Sequence, residues 1–146
     1  MLNVAVIGLG PIGIAAAKAV QRDVNMKLTA LVDLDPAKLG KRLVNLDETA
    51  DADDIAVVSD LDETDAQIDV AILTTGSRFD RIAPNLRQLM KRKCHVVSSC
   101  EEMTWPWLRH PHLADVIGGE ARSAGVALVG TGVNPGFVMD LLPVAL

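Results

Sequence analysis

A glycine-rich turn near the amino terminus has the clearest chemical potential in this sequence. Residues 8–13 read Gly-Leu-Gly-Pro-Ile-Gly, and an aspartate stands 20 residues after the last of these glycines. In a G-x-G-x-x-G turn between a strand and a helix, the first glycine permits the turn and the second lets the backbone approach a pyrophosphate. The third lets helix and strand pack closely, and the first N–H groups of the helix face the phosphates. The sequence therefore predicts a dinucleotide site rather than a glycine turn without a ligand. Its residues are Gly8, Gly10, Pro11, Ile12, Gly13 and Asp33.

Asp33 bears on which dinucleotide is bound. It ends the second apolar run, where an acid accepts hydrogen bonds from the adenosine ribose hydroxyls and repels a 2′-phosphate. This favours NAD. Lys38, Lys41 and Arg42 follow shortly afterwards and provide the alternative, because basic groups beside the ribose would hold the 2′-phosphate of NADP. They would suit an exposed helix face equally well. We expect NAD, with NADP as the alternative.

Small polar residues follow three further apolar runs. Residues 74–77 (TTGS), 98–102 (SSCEE) and 130–136 (GTGVNPG) each stand after a predicted strand. Ligands of parallel α/β sheets bind outside the carboxyl ends of the strands. We therefore expect these three segments to converge where the nicotinamide lies. For 74–77 the alternative is a simple turn from strand to helix.

The cysteines and histidines predict neither a disulfide nor a metal site. Cys94 and Cys100 bracket a predicted strand that would hold them roughly 20 Å apart, whereas a disulfide needs Cα atoms about 4.4–6.8 Å apart. Two unpaired thiols fit a reducing compartment, so we expect a cytoplasmic protein. Cys100 as an acylating nucleophile lacks an assigned base. The spacing of His95, His110 and His112 matches no standard zinc site.

The composition limits the possible partners. The chain has 146 residues, a net charge of −5 and 3% aromatic residues, so we expect no nucleic-acid partner, which would favour basic and stacking side chains. Hydrophobic residues make up 49% of the chain, which excludes wholesale disorder. Lys18 interrupts the apolar amino terminus, which also lacks the basic start of a signal peptide, so we expect no membrane partner.

Residues 45–77 contain ten acids and no Lys or Arg. We interpret them as a solvated loop, because no D-x-D-x-D-G calcium motif is present.

Strand and helix patterns alternate along the whole chain, which is typical of a parallel α/β sheet. We predict a Rossmann-like doubly wound parallel sheet of about six strands. The predicted strands are 2–7, 27–32, 55–58, 70–74, 95–98 and 126–129. The predicted helices are 11–22, 36–44, 78–93 and 112–123, with another capped by Asn134 and Pro135. Pro84 must kink the third helix or mark its true start.

Three segments carry a family resemblance. Residues 78–84 (RFDRIAP), 95–111 (HVVSSCEEMTWPWLRHP) and 130–143 (GTGVNPGFVMDLLP) resemble the 2,4-diaminopentanoate dehydrogenases and their dihydrodipicolinate reductase-like relatives. The resemblance covers essentially the whole chain but only the amino-terminal part of such enzymes. It implies an NAD(P)-dependent amine or imine oxidoreductase that acts on an amino-acid-like substrate. It also implies that the glycine turn and Asp33 hold the adenosine and pyrophosphate. The residues that it places on the nicotinamide side are Thr74, Thr75, Gly76, Ser99, Cys100, Glu101 and Asn134. It identifies no catalytic residue.

The resemblance also implies a division into domains. We expect residues 1–133 to be the dinucleotide-binding domain and 134–146 to begin a helix leading to a substrate domain outside this sequence. The apolar stretch 137–146 would then present an exposed patch, and we expect a homodimer. The chain alone would bind the dinucleotide without transferring hydride. The alternatives are a non-catalytic dinucleotide-binding module or sensor and, less favoured, an aldehyde- or homoserine-type dehydrogenase.

Overall fold

An apolar amino-terminal strand lies at the centre of a parallel sheet. The computed structural model describes residues 1–146, which form two units, 1–74 and 75–146. In the first unit the strands follow the order β3-β2-β1-β4, and every pair is parallel. These strands are β1 (Leu2–Ile7), β2 (Met26–Val32), β3 (Val57–Val58) and β4 (Val70–Leu73). The helices of this unit are α1 (Pro11–Arg22) and α2 (Leu43–Leu46).

Helix α1 covers the sheet of the first unit. Ala17 and Val20 are buried there with Val4 and Val6 of β1 and Leu31 of β2. The side chains from Val4 to Ile7, which alternate between the two faces of β1, are all buried, and this explains the continuous apolar run. The prediction for α1 is confirmed residue for residue.

The second unit contains two strands and the longer helices. Strands β5 (His95–Ser98) and β6 (Leu128–Gly130) pair in parallel. The helices are α3 (Phe79–Lys91), α4 (Pro111–Ala124) and α5 (Leu142–Ala145). Short 3₁₀ turns occupy Glu101–Thr104 and Pro106–Leu108, and a further helical segment spans Val133–Leu141. The predicted α/β class with about six strands is confirmed. None of the helices combines the length and the apolar run that crossing a bilayer requires.

Helix α3 is amphipathic, as its spacing predicts. The residues Phe79, Ile82, Leu86 and Leu89 are buried on one side of it. Pro84 lies inside the helix, so the alternative that it marks the helix start is wrong.

The boundary between the two units does not test the predicted domain division at residue 133, which stays a prediction.

Two predicted helices differ in the structure. Residues 36–44 form mostly turns, because Asp33 and Asp35 accept hydrogen bonds from the backbone N–H groups two residues on, at 2.8 and 2.9 Å. Such local bonds compete with helix formation. Asn134 does not cap a helix either: Asn134, Pro135 and Gly136 have non-helical backbone, and Gly136 has φ +129°. The regular helical turns begin only after that glycine.

Candidate functional site

The glycine turn lies where three strands of the first unit end. Gly8 has φ +90°, which favours glycine, and its N–H donates to Val32 O at 2.8 Å, at the end of β2. After β4, the Thr74 hydroxyl donates to Gly8 O at 2.6 Å and lies 3.2 Å from Ile7 O. The turn is therefore tied to β2 and β4. The Thr74 hydroxyl therefore supports the turn, a structural role that was not predicted. Its place on the nicotinamide side stays a prediction.

The second and third glycines of the turn have opposite surroundings. A β-carbon at Gly13 would lie 1.8 Å from Gly8 O and 2.8 Å from Thr74 Oγ1, so no side chain fits there. A β-carbon at Gly10 would meet nothing within 4 Å. Gly10 is the N-cap of α1, and no side chain caps this helix end. Pro11 and Ile12 follow and are exposed. The helix therefore opens towards a space in which an anionic group can approach the backbone.

Asp33 is held against the glycine turn. Its Oδ2 accepts hydrogen bonds from the Leu9 N–H at 2.6 Å and from Lys38 Nζ at 2.9 Å, and its Oδ1 accepts from the Asp35 N–H at 2.8 Å. Partial burial raises the pKa of this carboxyl, but the three hydrogen bonds outweigh it and hold the pKa below its ordinary value. Asp33 is therefore ionised at neutral pH and aligned with the turn.

The three basic residues after Asp33 lie in different places. Lys38 forms an ion pair with Asp33, and this pairing raises the pKa of its amine. Arg42 pairs with Asp54 at 3.2 Å. Lys41 is exposed, and its backbone carbonyl accepts from the Val57 N–H at 2.8 Å. Of the three, only Lys38 lies at the carboxylate predicted to bind the ribose.

In the second unit, the strand-end segments contact one another. The Glu102 N–H donates to Ser77 O at 3.3 Å, and the Thr131 N–H donates to Ser98 O at 2.9 Å. A β-carbon at Gly132 would lie 4.0 Å from that of Ser99. The predicted residues of these segments that are exposed or half-buried are Thr75, Gly76, Ser99, Glu101 and Asn134. Within this unit, parts of the three segments are therefore neighbours.

Cys100 is the exception among the predicted residues. It is only 1% exposed, so its thiol does not reach the surface, and its place on the nicotinamide side stays a prediction. Burial raises the pKa of the thiol, and nearby Glu101 acts in the same direction. A buried, protonated thiol is a poor nucleophile. Cys94 is also buried, and neither cysteine forms a disulfide.

A charged cluster around Glu102 was not predicted from residue type or spacing. Its Oε2 accepts from the Phe79 N–H at 2.9 Å and lies 3.1 Å from His110 Nε2, while Oε1 accepts from Arg109 at 3.2 Å. The Phe79 amide is the main reason that the pKa of Glu102 lies below its ordinary value. The ligand atoms of Asp80, Glu102 and His110 lie within 4.8 Å of one another. However, Arg78 binds Asp80 through two hydrogen bonds, and this cation and Arg109 already balance the acids.

An open cavity adjoins this cluster. Its volume is about 390 Å³, and its walls combine acidic, basic and apolar side chains. The lining residues are Ser77, Arg78, Glu101, Glu102, Thr104, Trp105, Leu108 and Arg109. The two predicted segments 74–77 and 98–102 thus contribute to one concave surface in the second unit.

Comparison with known proteins agrees with the geometry of the turn. Residues 2–101 match the GFO_IDH_MocA family, an oxidoreductase family with an NAD-binding Rossmann fold. The chain is 31% identical over 144 residues to a 2,4-diaminopentanoate dehydrogenase of Acetoanaerobium sticklandii, and the match covers 97% of this chain and 40% of that protein. The chain therefore spans about two-fifths of the length of this relative.

Solved structures show the same fold. An amine dehydrogenase from Mycobacterium smegmatis superposes with a TM-score of 0.80 at 25% identity, over 90% of this chain and 39% of that one. A protein of gentamicin A biosynthesis, solved in complex with NAD, gives a TM-score of 0.65 at 22% identity, over 88% and 34%. At that identity the second likeness concerns the fold alone.

Proposed function

Because the chain belongs to the oxidoreductase family with an NAD-binding Rossmann fold, we propose that it is the dinucleotide-binding part of an amine or imine dehydrogenase. Such an enzyme transfers hydride between nicotinamide and the C–N centre of an amino-acid-like substrate. The reaction type is supported by the similarity to a 2,4-diaminopentanoate dehydrogenase and to an amine dehydrogenase. The dihydrodipicolinate reductase-like part of the resemblance stays a prediction.

One observation carries the binding proposal: the aspartate after β2 is hydrogen-bonded to the glycine turn itself. The bond between the Leu9 N–H and Asp33 Oδ2 is 2.6 Å long. It joins the ribose-binding acid to the turn that opens α1, and Gly10 faces open space beside them. A solvated surface aspartate would not need this alignment. The residues present therefore fit an adenosine ribose and an adjoining pyrophosphate.

The residues of the first unit have separate roles in this proposal. The N–H groups at the start of α1 bind the pyrophosphate, and Gly10 keeps the approach free of a side chain. Asp33 accepts a hydrogen bond from a ribose hydroxyl at the acceptor position that its three protein partners leave. Gly13 and Thr74 hold the turn closed. The nicotinamide supplies or accepts the hydride when the dinucleotide is bound.

We assign the nicotinamide side to the second group of predicted residues. Thr75, Gly76, Ser99, Glu101 and Asn134 remain in this role, because each presents surface at a strand-end segment. Cys100 is left out as a side-chain contact, since its thiol is buried. The same burial removes the basis for an aldehyde-oxidising alternative that would use this thiol as a nucleophile.

Titration with NADH tests the binding role. We expect wild-type protein to bind NADH with micromolar or weaker affinity and Gly10→Val to lose at least about tenfold in affinity, because the added side chain fills the approach to the pyrophosphate. Gly119→Val is the matched control, since a β-carbon at Gly119 in α4 also meets nothing within 4 Å. Equal affinities for wild type and Gly10→Val would refute the site.

Turnover tests the wider proposal. We propose that the substrate groups are held by a second domain, so that this chain alone does not oxidise 2,4-diaminopentanoate even with NAD bound. Steady NADH production by the purified chain would contradict this and would mean that the strand-end segments form a complete active site. The alternative is a dinucleotide-binding module without catalysis. It predicts no turnover even when the proposed second domain is present. We also propose a cytoplasmic location, supported by two cysteines that form no disulfide.

A further inference from the structure

Lys38 is placed beside Asp33 by the turn that replaces the predicted helix. The Asp35 N–H bonds to Asp33 Oδ1, the Ala37 N–H bonds to Asp35 Oδ1 at 2.9 Å, and the Lys38 N–H bonds to Asp35 O at 2.9 Å. The chain therefore bends back, and Lys38 Nζ lies 2.9 Å from Asp33 Oδ2 and 3.7 Å from Asp35 Oδ2.

The donors and acceptors at this pair leave room for a ligand. An ionised carboxylate has about four acceptor positions, and Asp33 uses three of them, for Leu9, Asp35 and Lys38. A lysine ammonium has three donors; one of them bonds Asp33 Oδ2 at 2.9 Å, and Asp35 Oδ2 lies 3.7 Å away, so donor capacity remains for a further anion. The side chains of Asp33 and Lys38 are 12% and 24% exposed. One ribose hydroxyl can therefore bind Asp33 while a neighbouring anionic oxygen approaches Lys38.

We infer that Lys38 is a specificity-determining residue that offsets the charge of Asp33 and lets the site accept NADP(H) nearly as well as NAD(H). This inference rests on the proposed function. An unpaired Asp33 would repel a 2′-phosphate strongly, whereas the pair presents a cation on the same side as the acid. Lys41 and Arg42 do not share this role, because Arg42 pairs with Asp54, and the ion pair of Asp33 is made by Lys38 rather than by Lys41.

Fluorescence titration of the full chain with NADH and NADPH tests the role of Lys38. We expect wild type to bind NADH more tightly than NADPH by less than about tenfold. Lys38→Gln should weaken NADPH binding by at least about tenfold and NADH binding by less than about threefold. Lys38→Arg should retain NADPH binding, because the charge remains. Lys41→Gln is the matched control and should leave both affinities unchanged.

Salt dependence separates a charge effect from a merely structural one. If Lys38 contacts the 2′-phosphate, the affinity for NADPH should fall with ionic strength more steeply in wild type than in Lys38→Gln. Equal losses for NADH and NADPH in Lys38→Gln, or no change in either, would overturn the inference while NADH binding still supports the proposed function. Failure of wild type to bind either dinucleotide would overturn both.

Discussion

Replacing Gly13 by alanine should destabilise the first unit, although alanine is the better helix former. In an open helical position this exchange stabilises by about 0.5–1 kcal/mol. Here the new β-carbon would lie 1.8 Å from Gly8 O, against a practical limit of 3.0 Å, and 2.8 Å from Thr74 Oγ1. Either α1 must shift by about an ångström or the turn at Gly8 must open.

The magnitude follows from what must give way. Overpacking of this kind costs about 1–3 kcal/mol. Opening the turn also weakens the bonds from Thr74 Oγ1 to Gly8 O and from the Gly8 N–H to Val32 O, each worth about 0.5–1.5 kcal/mol. After the gain in helix propensity is subtracted from these costs, we expect Gly13→Ala to lower the free energy of unfolding by about 2–4 kcal/mol. At about 3–5 °C per kcal/mol for a chain of this size, Tm falls by roughly 6–20 °C.

Thermal unfolding followed by circular dichroism measures this change. Gly10→Ala is the internal control, because its β-carbon has open space and the φ of Gly10 is −73°; its Tm should stay within about 2 °C of wild type. A Tm for Gly13→Ala that equals or exceeds that of wild type would refute the argument that Gly8 O and Thr74 leave no room at this position.

Three further predictions concern the second unit. Glu102→Gln should lower Tm most at neutral pH. The pKa of Glu102 in the fold lies below its ordinary value of 4.5, so the ionised carboxylate stabilises the fold above pH 4.5. This stabilisation is lost as the pH falls through the folded pKa. Denaturation midpoints from pH 3 to 7 check this, and a constant difference between the variants would contradict it. Cys100 should resist alkylation at neutral pH in the native protein and react after unfolding, as mass spectrometry will show; rapid native labelling would place its thiol at the surface instead. The exposed side chains of Phe137, Met139 and Leu141 should cause self-association, most simply as a two-fold dimer, and light scattering at micromolar concentration that shows only monomer would disprove it.

Local patterns correctly predicted the backbone conformation around the glycine turn. The turn at 8–13, helix α1 and the position of Asp33 directly after β2 depend on neighbouring residues. These are glycine at a positive φ, proline at the first helical position and the buried apolar end of β2. Each of these constraints acts over a few residues, so it can be recognised from the sequence without knowledge of distant contacts. The mistaken helix at 36–44 shows the limit, because Pro36 suits a helix start while two aspartates accept hydrogen bonds from the local backbone instead.

The remaining features depend on contacts between residues that are distant in the chain. Nothing in the spacing of Lys38, Lys41 and Arg42 distinguishes the one that meets Asp33, since the choice depends on how the chain bends back after β2. The burial of Cys100 and the bond from the Phe79 amide to Glu102 depend likewise on how the segment after β5 packs. Residue type and spacing determine which local conformations are favoured. Side-chain direction, burial and charge pairing arise only when separate elements pack together, because the free energy of each contact depends on the atoms that the rest of the fold brings beside it.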